Sequence, residues 1–168
     1  FSPDKFETNC EIIPGTGKTV EFALKLPEGL VPIDAKFPSG LYDNYIEASG
    51  KKRNKAAVNT AIKEIRRHVI SDAKDIKEKY MQVGITIGLG VMYIPSESLM
   101  QLIDSIGDIR REVFRDSRVL IMGPNSLAAF LISILMGFKN LTLNERAEEI
   151  LGEIGKMRKE FEKFGDST

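Results

Sequence analysis

The chain has 168 residues, of which 42% are hydrophobic and 29% charged, and Lys plus Arg balance Asp plus Glu to a net charge of zero. That length carries one domain with a real core. The composition excludes a low-complexity or globally basic polymer, so any nucleic-acid surface has to be a local patch. A single cysteine, Cys10, excludes an internal disulfide and fits a reducing compartment, so the expected location is the cytoplasm. With one cysteine and one histidine, no zinc site is expected. No secretory signal is visible and no apolar run is long enough to span a bilayer.

Ser2 to Phe6 suits a helix start or a turn, with Ser2 as a candidate cap and Pro3 at the first position. Glu7 to Ile13 forms a candidate first strand, and Pro14-Gly15-Thr16-Gly17 a turn. Gly15-Thr16-Gly17-Lys18-Thr19 looks like the end of a phosphate-binding loop. The pattern nevertheless requires a glycine where Ile12 stands and a helix where a strand follows. No nucleotide cofactor is expected.

Thr19 to Pro38 has the pattern of a β-hairpin. Val20, Phe22, Leu24 and Leu26 alternate with Glu21, Ala23 and Lys25. Val31, Ile33, Ala35 and Phe37 alternate with Pro32, Asp34 and Lys36 on the return. With residues 27–30 as the loop, Leu26 pairs with Val31, Leu24 with Ile33 and Phe22 with Ala35 on one apolar face. On the other face Ala23 opposes Asp34 and Glu21 opposes Lys36, leaving Glu21 and Asp34 as diagonal neighbours. Two carboxylates and an ammonium on one patch of sheet suit Mg²⁺ or Mn²⁺, which take oxygen ligands and leave places for water and phosphate. The lysine would serve an attacking water or a phosphate. The plainer alternative is a solvated sheet face with a Glu–Lys cross-strand pair.

Leu41 to Ala48 is a short helix ended by Ser49-Gly50, and a long amphipathic helix follows from about Lys51 to Tyr80. Its apolar stripe is Val58, Ile62, Ile65, Val69, Ala73 and Ile76. Ten Lys and Arg against four Asp and Glu give this segment a net charge of +6. Lys63, Arg66, Arg67, Lys74 and Lys77 are the candidate DNA-backbone contacts; the alternative is a solvated face laced with i,i+4 pairs. His68 is expected on the helix surface.

Ile85 to Pro95 is a largely apolar strand of the kind buried on both faces. The next helix is capped by Ser96 or Ser98, with Leu99, Leu102, Ile103 and Ile106 inside. Glu97 is either a third acid near the site or a carboxylate complementing the helix dipole. Gly107 to Asp116 is a further helix and Arg118 to Met122 a short buried strand. Leu127 to Phe138 is expected as a buried core helix, capped by Asn125 or Ser126. A last charged helix, capped by Thr142 or Asn144, runs to about Phe164 with Ile150, Leu151, Ile154, Met157, Phe161 and Phe164 on one side. Self-association through this terminal helix is one expectation. The element order predicts an α/β (α+β) fold, a mixed sheet flanked by helices. The expected division is a core domain over 1–140 and a C-terminal helix over 141–168, packing on the core and leading to a tail.

Glu21 followed by Asp34-Ala35-Lys36 on an adjacent strand resembles the PD-(D/E)xK signature of restriction-endonuclease-like nucleases. VEFALKLP, VPIDAKFP, AKDIKEKY, MYIPSESL and GPNSLAAFLISILMGF together resemble the RmuC family of DNA recombination proteins. The resemblance implies a restriction-endonuclease-like fold and a role in DNA recombination. It also implies a metal-dependent endonuclease centre, with Glu21, Asp34 and Lys36 catalytic and the metal on Glu21, Asp34 and the Ala35 carbonyl. A non-catalytic DNA-binding or scaffold module that keeps the nuclease fold is the alternative. Relatives carry an upstream coiled coil, often a membrane anchor, and a helix with another glutamate. Where they show Pro-Asp this chain has Val20-Glu21, and Gly88 stands where they commonly have an aspartate.

Overall fold

The computed structural model describes residues 4–50 and 54–166, without the side chains of 138–146, 161, 162 and 164–166. The expectations placed on Ser2, Pro3, Lys51, Lys52 and Arg53 and on the side chains of Thr142, Asn144, Phe161 and Phe164 lie outside the described residues.

Strands β1 (Phe6–Cys10), β2 (Val20–Leu26) and β3 (Gly29–Ala35) form an antiparallel meander. β4 (Gly90–Tyr93) and β5 (Val119–Met122) add in parallel, so one five-stranded sheet has the order β1-β2-β3-β4-β5. Parallel neighbours need long crossovers. Helices α1 (Ser39–Ser49) and α2 (Lys55–Tyr80) join β3 to β4, and α3 (Glu97–Asp104) and α4 (Ile109–Ser117) join β4 to β5. The mixed sheet with flanking helices is the expected α/β fold.

One core lies between α2, α3, α4 and the parallel strands. Ile65, Val69, Ala73 and Ile76 of α2 pack with Met92, Ile94, Leu99, Ile103, Ile109, Val119 and Ile121. Each large side chain so buried contributes about 1.5–3 kcal/mol of transfer free energy. Val58 and Ile62, expected in the buried stripe, are only half-buried. α2 starts later than expected because Asn54 caps it, its Oδ1 accepting from the amides of Ala56 and Ala57 at 3.1 and 3.2 Å.

The hairpin corrects the expected register by two residues. Leu26 pairs with Gly29, Leu24 with Val31, Ala23 with Pro32 and Phe22 with Ile33. The loop is Pro27-Glu28 alone. Leu30 was expected in the turn, but its amide donates to Ile85 O at 2.9 Å and its carbonyl accepts from Ile87 at 3.1 Å, which draws it into the sheet. Gly29 makes the tight turn possible. Its φ is +145°, and a Cβ there would sit 2.7 Å from Ile85 O. A shift of two leaves the alternation of faces within β2 and β3 unchanged.

Residues 85–89 are loop, so the expected strand from Ile85 to Pro95 shrinks to β4. Val91 and Met92 are both fully buried, as expected for a strand covered on two faces. Downstream, the two expected helices are one: α5 runs unbroken over Pro124–Asp166. Its first half is not a buried core helix either, since Ile132 and Met136 are 58% and 59% exposed. The chain divides into two compact units, Phe1–Leu127 and Ala128–Thr168, the second being the continuation of α5.

Candidate functional site

Asp34 is the penultimate residue of β3, at the strand where pairing changes from antiparallel to parallel. It is the cross-strand partner of Met92, whose side chain belongs to the core beneath α2. Paired residues point to the same side of a sheet, so Asp34 points towards α2. It is only 6% exposed, which replaces the open, solvated face considered for it. The Lys36 amide donates to Tyr93 O at 2.8 Å, carrying extended pairing one residue past β3. Lys36 therefore shares the Asp34 side, and its Nζ lies 3.1 Å from Asp34 Oδ2.

The observed register, continued one step beyond Phe22 and Ile33, sets Glu21 across from Asp34 rather than across from Lys36. Glu21 is exposed where Asp34 is buried. Ala35, half-buried at the end of β3, pairs with Tyr93. The structure thus brings Glu21, Asp34 and Lys36 to one side of the sheet.

The sequence reading missed what α2 contributes opposite them. Asp72 is 8% exposed, and His68 Nε2 lies 3.1 Å from its Oδ2. Burial raises the Asp72 pKa; the charges of His68 and Lys36 oppose that rise, while Asp75 and Asp34 add to it. Tyr80, at the end of α2, has its phenol pKa raised by burial and by the negative charges of Asp34, Glu21 and Asp75, against Lys36. For Lys36, burial pushes the pKa down, but the hydrogen bond and charge of Asp34, with Asp72 and Tyr80, outweigh it and the net shift is upward. Asp72 had left a signal. It sits three residues after Val69 and four before Ile76, so a carboxylate occupies a core-facing helical position. Counting it among solvated charges hid that.

The five candidate DNA contacts form one stripe on α2, on a different side from Asp72. Lys63 and Asp72 are nine residues apart, roughly half a turn around the axis at about 100° per residue. Within the stripe, Arg66 pairs with Glu112 of α4, and Lys77 Nζ donates to Asp116 O at 3.0 Å. Lys74 is 4.0 Å from Glu78 in an exposed i,i+4 pair, and Lys63 and Arg67 are exposed. The stripe and the Asp34 centre are therefore two surfaces, not one.

Glu97 is fixed by structure rather than by the centre. Its Oε1 accepts from the Asn125 amide at 2.6 Å, at the start of α5. Ser96, not Ser98, caps α3, its Oγ accepting from Leu99 at 3.2 Å.

Among the described residues no group of three or more His, Cys, Asp and Glu side chains is placed to hold a metal ion. The donors near Asp34 are carboxylate and carbonyl oxygens, the kind Mg²⁺ takes, and Mg²⁺ is commonly held by one or two carboxylates plus water and substrate phosphate. The site fits such an ion in donor type, with Asp34 engaged by Lys36 in its absence.

The site is thus a buried aspartate paired with a half-buried lysine on a mixed α/β sheet, facing a long helix. The family of the chain is shown directly: the RmuC family model matches residues 2–168, and the chain belongs to that family. Two relatives, each named DNA recombination protein RmuC homolog and found in Xylella fastidiosa strains Temecula1 and 9a5c, are 29% identical over 171 residues. That similarity covers 98% of this chain and 37% of each relative, so the chain spans well under half their length. No solved structure matches it significantly. No helix among the described residues is long and apolar enough to cross a membrane.

Proposed function

We propose that this domain processes DNA in recombination and that its centre cleaves phosphodiesters with Mg²⁺ or Mn²⁺. The observation that carries the reading is the Asp34–Lys36 pair, held 3.1 Å apart on the α2-facing side of the sheet; the β2–β3 register, continued by one residue, adds Glu21 across from Asp34. Glu21, Asp34 and the Ala35 carbonyl would hold the ion, which supplies Lewis acidity and a more acidic bound water. Lys36 keeps its proton at neutral pH, so its part is to neutralise a non-bridging phosphate oxygen rather than to take a proton from water. Its pairing with Asp34 holds the ammonium in place until a phosphate competes for it. The test is Mg²⁺-dependent cleavage of branched and linear DNA by the full-length protein. Asp34→Asn and Lys36→Ala are each expected to slow cleavage by about 10²–10³-fold. Equal rates in all three proteins would strip both residues of these roles.

A second reading, a DNA-binding or scaffold module without cleavage, is favoured by the lack of a three-ligand metal group among the described residues. It is selected if DNA binding is salt-dependent, Asp34→Asn leaves it unchanged and no cleavage occurs. In either case the stripe of Lys63, Arg66, Arg67, Lys74 and Lys77 supports backbone contact. Replacing exposed Lys63 or Arg67 with Ala should lower the slope of log K against log salt by about 1 each.

The later part of α5 supports a partner role as well, and the occupant we assign is a second copy of the chain. Ile150, Ile154 and Met157 are 54–60% exposed on a four–three spacing that Ala147 begins. In that heptad frame Glu153 at g and Arg158 at e stand five residues apart, the relation that pairs opposite charges across a parallel two-helix coil.

A further inference from the structure

Beside the Asp34–Lys36 pair lies an open cleft of about 710 Å³, lined by Phe37, Ser39, Leu41, Asn44 and His68 among others. Three features mark it out. Phe37, the residue after Lys36, is 49% exposed, an aromatic face left to solvent where β3 gives way to α1. His68, on the opposite wall, is tied through Nε2 to buried Asp72, which fixes the ring and leaves Nδ1 as its remaining polar atom. Phe37 follows Lys36 directly in the chain and His68 pairs with Asp72, so the cleft opens next to the centre. Ser39 and Asn44 add hydroxyl and amide groups beside the apolar Phe37, Pro38 and Leu41.

We propose that this cleft binds one nucleotide of a single-stranded nucleic acid, next to the phosphate that Lys36 contacts. Phe37 stacks on the base, and His68, positioned by Asp72, contacts the adjoining phosphate or sugar. An exposed aromatic beside a cation is the combination that unpaired strands use, because a base offers its face only when it is unstacked from neighbours. A duplex cannot present one. This assignment rests on the phosphate-handling reading of Lys36 and adds to it a preference for an unpaired nucleotide at the centre.

The test is binding of the 168-residue chain to a fluorescein-labelled single-stranded oligonucleotide in EDTA at low salt, where no cleavage contributes. Phe37→Ala should weaken binding by about 5- to 100-fold, the range of one lost stacking contact. His68→Ala should weaken it several-fold. Binding of a duplex of the same sequence should be unchanged by either. The chain contains no tryptophan, so Phe37→Trp adds a reporter at the site. That variant should bind like wild type, with emission quenched saturably by the single strand and much less by one with abasic sites. Wild-type affinity in Phe37→Ala, or Phe37→Trp emission unmoved at saturation, overturns the proposal, as does failure of the wild-type chain to bind single strands. The cleavage test stands apart from this one. Loss of cleavage in Asp34→Asn with no effect of Phe37→Ala keeps the centre and removes the cleft. The converse keeps the cleft and removes the chemistry.

Discussion

Buried charge around Asp34 sets what each side chain there can do. Lys36 loses solvation by burial, yet Asp34 and Asp72 more than compensate and its pKa rises from 10.5. A lysine with a raised pKa contributes stability that is fully present below the unfolded value and is lost as pH climbs through the folded one. It is an ammonium throughout the neutral range. Asp72 has the same sign in a lower pH window. Burial holds its folded pKa above the ordinary 3.8, against the charges of His68 and Lys36 and with those of Asp75 and Asp34. The folded state therefore binds that proton more tightly than the unfolded chain, and stability falls as pH rises from 3.8 through the folded value. Asp72→Asn removes this dependence. Its urea midpoint relative to wild type should be higher at pH 7 than at pH 3, and at pH 7 it should be no less stable than wild type. A variant that loses stability specifically at neutral pH would show that the His68 pairing outweighs the burial cost. Retaining an acid that costs stability is what a functional position does.

Elements meet closely where α3, β5 and α5 converge. The backbone leaves β5 through Gly123, and a Cβ on that residue would lie 2.9 Å from Met100 Cγ and 3.1 Å from Glu97 Oε1. The same Glu97 oxygen holds the first turn of α5 through Asn125. Gly123→Ala therefore strains a packed contact and displaces a cap together, and should cost about 1–3 kcal/mol in urea unfolding. Glu97→Ala, which removes only the cap, should cost about 0.5–2 kcal/mol. The two losses should add to less than their sum in the double variant, because they share Asn125. This is also the scale at which the sequence was most and least legible. Period-two alternation separated the Leu24, Val31 and Ile33 face from the Ala23 and Asp34 face, but it did not show that the second face is covered too, with Ala23 and Asp34 both buried. It could not choose between registers two apart, since both bury the same set. That choice came from Ile85 and Ile87, some fifty-five residues downstream, which hydrogen-bond Leu30. The acid–lysine pair was visible in the strand, whereas Asp72 and His68 were not, because a helix of mixed charge does not announce which charge faces inward.

At the scale of the whole molecule, the later part of α5 carries large apolar side chains that are more than half exposed. Ile150, Leu151, Ile154 and Met157 are between 54% and 67% exposed. An amphipathic helix owes most of its stability to burial of its apolar face rather than to propensity. Full burial of such a side chain is worth about 1.5–3 kcal/mol, and roughly half of that remains to be gained at each of these half-covered positions, so a partner that covers them is favoured. A parallel pair of chains places Ala147 and Ile154 at a, Ile150 and Met157 at d, and Glu153 opposite Arg158 of the second chain. The prediction follows in two steps. In sedimentation equilibrium at micromolar concentration the wild-type chain should be a dimer, and Ile154→Asp a monomer with reduced helix content by circular dichroism. Reversing the flanking pair separates a coil from unspecific apolar contact: Glu153→Arg alone should weaken the dimer, and Glu153→Arg with Arg158→Glu should restore it. A wild-type monomer, or a dimer indifferent to Ile154→Asp, would mean that the face is covered by some other segment or partner. Dimerisation would also set two Asp34 centres on one assembly, so the same variants, assayed on branched DNA, report whether processing requires both.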